Sequence, residues 1–220
     1  MQRPYVICHM GPSIDGRITG VGGVASLTAA YERTAKTFKA DGWIIGRVSM
    51  EPYAGKSRIP RRKIRIPRKD FVANAKAKSY AIAVDPSGKL RWKSNAIDDE
   101  HVIAILTERV SDQYLAFLRS RRVSYLFGGR SEINLKRVLA KLRSRFGIKT
   151  LLLEGGGKIN GSFLAADVID ELSILIAPVA DGAVGTPTLF DVGPASVRHR
   201  LRLISVKKLE HDIVWLRYKL

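Results

Sequence analysis

The chain has 220 residues, 45% hydrophobic and 26% charged, and 38 Lys and Arg against 20 Asp and Glu give it a net charge of +18. That length supports one sizeable core, no run of 18 or more apolar residues exists to span a membrane, and "MQRPYVICHM" enters a strand pattern without a signal-peptide layout. Cys8 is the only cysteine and the four histidines are scattered, which excludes an intramolecular disulfide, leaves no metal-ligand spacing and fits a reducing cytoplasm.

"YVICHM" (Tyr5–Met10) is a continuous apolar run, as a buried central strand requires, and Gly11-Pro12 ends it. A turn-rich loop around Asp15-Gly16 follows. Leu27, Ala30, Tyr31, Thr34 and Phe38 then recur at helical spacing, with Ser26 as the candidate N-cap. "GWIIG" (Gly42–Gly46) is a short strand and "RVSMEPYA" starts another helix. "KSRIPRRKIRIPRK" (Lys56–Lys69) holds eight cations and no acid. It is either an anion-binding arm or a solvated, mobile loop broken by Pro60 and Pro67.

"SYAIAVDP" (Ser79–Pro86) reads as a strand with a turn at Asp85–Gly88, "HVIAILT" (His101–Thr107) as a strand, and "SDQYLAFLRSRR" as a helix capped by Ser111. "VSYLFGG" (Val123–Gly129) is the next strand. "NLKRVLAKLRSRFG" places Leu135, Val138, Leu139, Leu142 and Phe146 on one face and cations on the other, with Gly147 as a left-handed cap. Strands at Ile148–Glu154 and Asp170–Val179 flank three glycines and a helix that begins near Lys158 or Ile159. Two final strands, "RLRLISVKKLE" and "IVWLRYKL", join at His211-Asp212. Alternating strands and helices predict an α/β fold with a mixed, mostly parallel sheet, an antiparallel C-terminal hairpin and one domain over 1–220.

Ligands of open α/β sheets bind at the carboxyl ends of strands. Three segments there carry glycine and polar residues: Ser13–Gly16, Gly46–Ser49 and Glu154–Gly157. Gly155-Gly156-Gly157 bares the backbone either for a dinucleotide's phosphates at a helix N-terminus or for a tight turn packed close to the sheet. Gly46, Arg47 and Ser49 either bind a phosphate, including the 2′-phosphate of NADP, or leave Ser49 as a helix cap and Arg47 as a surface cation. "GVGGVA" (Gly20–Ala25) imitates the dinucleotide fingerprint, with Asp41 at about the right distance, but it does not follow its strand directly and is set aside.

The segments "SIDGRI", "IIGRVSME", "VDPSGKL", "GTPTLF" and above all "GIKTLLLEGGGKINGSFLAADVIDELSILIAPVADG" resemble the reductase of riboflavin biosynthesis, the C-terminal half of a bifunctional deaminase-reductase. The resemblance covers nearly the whole chain. It implies a dihydrofolate-reductase-like α/β/α fold, a homodimer and NADPH as hydride donor. The implied substrate is 5-amino-6-(5-phosphoribosylamino)uracil or a related small carbonyl or imine, with hydride added at C1′ and the ribose opened to ribityl. It implies that Gly46, Arg47, Ser49, Gly155, Gly156, Gly157, Lys158, Ile159 and Asn160 hold the cofactor, and that Ser13, Gly16 and Glu154 face the substrate. Asp15 either orients or protonates the substrate, or only makes a turn. The deaminase zinc signature does not occur in this sequence, and the basic stretch lies outside the family pattern. The competing readings are a basic nucleic-acid-binding protein and a non-catalytic protein of the same fold. The first is disfavoured because no aromatic residue interleaves with the 56–69 cations.

Overall fold

The computed structural model describes residues 2–20, 25–60, 63–193 and 197–220. Residues 21–24 of the fingerprint look-alike, and Arg61 and Arg62 of the basic stretch, lie outside them. In chain order the elements are β1 (Tyr5–Met10), α1 (Ala25–Lys36), β2 (Gly42–Gly46), α2 (Arg47–Met50), β3 (Tyr80–Val84), β4 (Ala96–Ile97), β5 (Glu100–Thr107), α3 (Asp112–Ser120) and β6 (Ser124–Gly129). Then come α4 (Leu135–Phe146), β7 (Thr150–Leu153), α5 (Gly157–Ala165), β8 (Glu171–Ile176), β9 (Arg202–Lys208) and β10 (Val214–Lys219). Two compact units result, one of Met1–Pro4 with Asp41–Lys149 and one of Tyr5–Ala40 with Thr150–Leu220.

In the first unit β2, β3, β5 and β6 run parallel, with Ile44 opposite Ile82, Ile82 opposite Ile103 and Ile105 opposite Leu126. Their unbroken apolar sequences follow from burial on both faces. On one face Ile45, Ala83, Ala104, Leu106, Tyr125 and Phe127 pack in a single core with Tyr114, Leu115 and Leu118 of α3. On the other, the Tyr80 ring meets Phe146 of α4 edge-on at 5.3 Å. The Ser111 hydroxyl accepts from Tyr114 N and caps α3, while Asn134 caps α4 and Gly147 ends it at φ 71°. The two-residue β4 pairs antiparallel with β5, an element too short to leave a periodic signal.

The basic stretch is pinned at chosen points. Ile59 and Ile66 pack against the core, and Arg68 donates to the carbonyls of Glu108 and Val110 and pairs with Asp112. Beyond it Phe71 and Tyr125 exchange backbone hydrogen bonds of 2.9 Å, and Asp70 accepts from Phe127 N, so the strap covers an edge of β6. Lys56, Arg58, Lys63, Arg65 and Lys69 remain solvated.

In the second unit β7, β1 and β8 are parallel, then β10 and β9 turn antiparallel. Leu27 and Ala30 of α1 pack on Leu175, Ala177, Ile213 and Trp215. α1 begins at Ala25, so Ser26 lies inside its first turn and is not the N-cap. Under α1 the buried His9 imidazole sits in a closed network. Its Nε2 faces the Tyr31 carbonyl at 3.1 Å and therefore carries the proton. Its Nδ1 then accepts the Ser173 hydroxyl at 2.9 Å, and Ser173 Oγ accepts from Trp215 Nε1 at 2.8 Å. Among the described residues no helix is long and apolar enough to cross a membrane.

Burial lowers the His9 pKa from 6.5 to about 4, against the smaller opposing effect of its hydrogen bonds. Above pH 6.5 neither folded nor unfolded chain protonates this group. Between 6.5 and 4 only the unfolded chain does, so stability falls as the pH is lowered, by a total on the order of 3 kcal/mol. Urea denaturation at pH 8, 5.5 and 4 is expected to show that loss in the wild type and a shallower one in His9→Gln. Equal slopes for the two proteins would contradict it.

Candidate active site

Because β1, β7 and β8 are parallel, their carboxyl ends lie along one edge of the second unit. The loops leaving those ends interlock. After β1, the buried Ser13 donates its hydroxyl to Asp15 Oδ1 at 2.7 Å and accepts from Arg17 N at 2.9 Å, with Gly16 at φ 83° closing the turn. Asp15 also accepts from Asp181 N at 3.1 Å and Gly182 N at 3.0 Å, and Arg17 Nε stands 3.7 Å away. The Ser13 hydroxyl first, and then the two amides, hold the Asp15 carboxyl well below the usual carboxylate range. At neutral pH it is an ionised acceptor with no proton to give.

The loop after β8 continues the lock. Arg17 bridges Thr188, Leu189 N donates to Gly16 O at 3.1 Å, and Arg17 Nη1 donates to Thr186 O at 3.1 Å. The Thr188 hydroxyl donates to Asp191 Oδ1 at 2.7 Å, and Asp191 N donates to Gly157 O at 3.0 Å. This segment lies directly on the start of α5. A Cβ on Gly157 would stand 2.3 Å from Thr188 O, and one on Gly161 would stand 2.4 Å from Asp191 O. Two glycines are thus bare for the protein's own chain. The close neighbour at Gly157 is the 188–191 loop and not the sheet that the tight-turn reading named.

Gly155 and Gly156 differ. Gly155 has φ 94°, the peptide between them is cis, and Met10 packs beneath Gly155. Gly156 is the N-cap of α5 and brings no side-chain bond. The helix starts at Gly157, a residue ahead of its expected start near Lys158 or Ile159. The Gly157 and Lys158 N–H groups have no acceptor among the described residues. Asn160 is buried; its Nδ2 donates to Leu189 O at 3.0 Å and its Oδ1 has no donor. Lys158 is exposed and Ile159 half-buried. Glu154 is half-buried, and its charge adds to the burial that pushes the Cys8 thiol far up.

Gly46, Arg47 and Ser49 belong to the first unit, at the carboxyl end of β2. Gly46 is the N-cap of α2 and Ser49 lies within the helix, so Ser49 is not a cap. The Arg47 guanidinium pairs with Glu51 one turn on. Such a surface i,i+4 pair is worth only about 0.3–0.5 kcal/mol, so a phosphate can displace the acid at small cost. Arg17, Asp181, Thr188 and Asp191 were not foreseen as site residues. "GTPTLF" signalled the segment, but only the fold seats it on α5.

An α/β chain whose loops close over the carboxyl ends of parallel strands, with antiparallel strands at its C-terminus, has a dihydrofolate-reductase-like architecture. Residues 4–215 match the RibD C-terminal domain family, and the chain belongs to it. It is 25% identical to the 2,5-diamino-6-ribosylamino-4(3H)-pyrimidinone 5′-phosphate reductase of Aquifex aeolicus, over 97% of this chain and 93% of that one. It is also 25% identical to the protein of that name from Methanothermobacter thermautotrophicus, over 86% and 84%. Among solved structures, a pyrimidine reductase-like protein from Corynebacterium diphtheriae superposes with a TM-score of 0.73 at 20% identity, covering 98% of this chain and 91% of that chain. RibD from Acinetobacter baumannii gives 0.70 at 20%, covering 99% of this chain and 58% of that longer one. The chain is an enzyme of the reductase class.

Gly157→Ala is expected to destabilise the protein by about 1–3 kcal/mol, because its methyl collides with backbone rather than with a yielding side chain. Amide exchange at Asp191, whose N–H is held by Gly157 O, is expected to accelerate. Unchanged stability and protection would contradict the seating of the 188–191 loop.

Proposed function

We propose that this chain is a dinucleotide-dependent reductase acting on a ribosylamino-pyrimidine 5′-phosphate, with 2,5-diamino-6-ribosylamino-4(3H)-pyrimidinone 5′-phosphate as the first substrate to test. In the reaction C1′ of the ribose gains a hydride, its bond to the ring oxygen opens and that oxygen takes a proton, which leaves a ribityl chain on the pyrimidine amine. The observation that carries the reading is the start of α5. There, two N–H groups without acceptors among the described residues and a cap with no side chain follow a bare glycine turn. A helix N-terminus so built suits a phosphate group.

These residues fit a reduced nicotinamide dinucleotide, which supplies the hydride when bound. Gly156, Gly157 and Lys158 would hold its phosphates. In the first unit Gly46, Arg47 and Ser49 form a phosphate contact in their own right, because the Arg47 guanidinium is held only by the exposed Glu51. The choice of NADPH over NADH rests on the family resemblance. Glu154 and the Ser13–Gly16 loop face the substrate side in this reading. Asp15 fixes the 13–17 loop to Asp181-Gly182 and supplies no proton. The names of the curated relatives favour the diaminopyrimidinone over the uracil implied by the resemblance above. A buried lone thiol at Cys8 fits a reducing, cytoplasmic setting.

The test is a hydride-transfer assay with the diaminopyrimidinone and the uracil ribosylamino phosphates, each with NADPH and NADH, following loss of the reduced nicotinamide optically. Turnover is expected, fastest with the diaminopyrimidinone and NADPH. Asp15→Asn is expected to retain activity within about tenfold, whereas loss of a general acid costs about 10²–10⁴-fold. No turnover with any of the four pairs would overturn the proposal.

A further inference from the structure

The charge of this protein is unevenly divided. The first unit holds 26 Lys and Arg against 10 Asp and Glu, and the second 12 against 10. Nearly the whole excess therefore belongs to one unit, and of its cations the proposed function uses Arg47 alone. The basic strap takes part of it; among its described residues Lys56, Arg58, Lys63, Arg65 and Lys69 are solvated, and Ile59 and Ile66 pack against the core.

Helix α4 concentrates the charge differently. Its sequence LKRVLAKLRSRF carries Lys136, Arg137, Lys141, Arg143 and Arg145 and no acid. Lys141 is occupied, donating to Asp70 at 2.9 Å and to Phe127 O at 2.8 Å. Beside the helix runs a groove of about 650 Å³ lined by Arg137, Lys141, Arg143 and Lys149, with no acidic and no aromatic residue. Among the described residues Arg137, Arg143 and Lys149 form no ion pair. Lys149 N donates to Asp41 Oδ2 at 2.6 Å, which places the groove by the start of β2, at the opposite end of that strand from Arg47.

We propose that this groove binds the phosphodiester backbone of double-stranded nucleic acid. Uncompensated cations held on a rigid helix attract a polyanion, and guanidinium forks match phosphate oxygens. Arg137 and Arg143 stand roughly 9 Å apart along the helix axis, two to three nucleotide steps at about 3.4 Å each. No ring lines the groove, so it has nothing on which to stack an unpaired base, and a duplex fits it better than a single strand. Binding is independent of sequence because no base edge is read.

Fluorescence anisotropy with a labelled RNA duplex, a DNA duplex and the corresponding single strands tests this over a salt series. Either duplex is expected to bind at low salt, with log K falling against log salt at a slope of about −3 for three phosphate contacts. Arg137→Glu/Arg143→Glu is expected to weaken binding at least tenfold and to flatten the slope by about two. Lys56→Glu/Arg58→Glu makes the same charge change on the strap and is expected to alter binding less than about twofold. Arg137→Gln/Arg143→Gln repeats the test if the reversal impairs folding, and thermal melts establish which variants fold. Equal weakening by the two reversals would mean diffuse attraction and would overturn the proposal. So would tighter binding of a single strand, or no binding of either duplex at low salt.

Discussion

A backbone-to-backbone contact at Gly157 organises the ligand end of the second unit. Thr188 O lies 2.3 Å from where a Cβ would be, so the 188–191 loop rests on the first turn of α5 only because residue 157 is glycine. From that contact the rest follows in sequence. Leu189 reaches Gly16 and Asn160, Arg17 reaches Thr186 and Thr188, and Asp15 reaches Asp181 and Gly182. Three loops that leave separate strands become one wall. The opening glycine of the triplet supplies the positive φ, the second caps the helix without a side chain, and the third admits the neighbour.

This division of labour changes the chemistry assigned to Asp15. An aspartate in a loop near a reactive site invites the role of proton donor. Here one hydroxyl and two amides all stabilise its anionic form, and burial, which would favour the protonated form, is the lesser influence. Its contribution is geometric: it fixes where the loop stands, and with it the position of Ser13. Arg47 is the converse case. It is paired, but only with an exposed acid one turn away, so it stays available for exchange.

Much of this was legible from local pattern. Tyr5–Met10 and Gly42–Gly46 match their strands to the residue, since glycine, proline and apolar runs mark both ends. The 3.6-residue spacing between Asn134 and Gly147 defines α4 because both caps are side-chain and backbone signals carried within the helix itself. Ser26 misled because a capping residue type also occurs inside first turns. β4 escaped because its two residues are held only by β5. The partners of Asp15 were out of reach for a different reason: they lie 166 and 167 residues further on, and nothing local in "SIDGR" names them. The overall charge and the cations along α4 were visible at once, but their concentration in one unit became visible only when the fold sorted the chain.

In the proposed function the unfilled backbone at the start of α5 receives a dinucleotide's phosphates. Calorimetric titration of NADPH into the wild type and into Gly156→Asp, with melts to show that both are folded, tests it without requiring the substrate. Saturable binding by the wild type is expected, and its loss in the variant, whose carboxylate would sit at the helix end meant for the phosphate. Equal binding by both proteins would contradict it, and so would no binding by either.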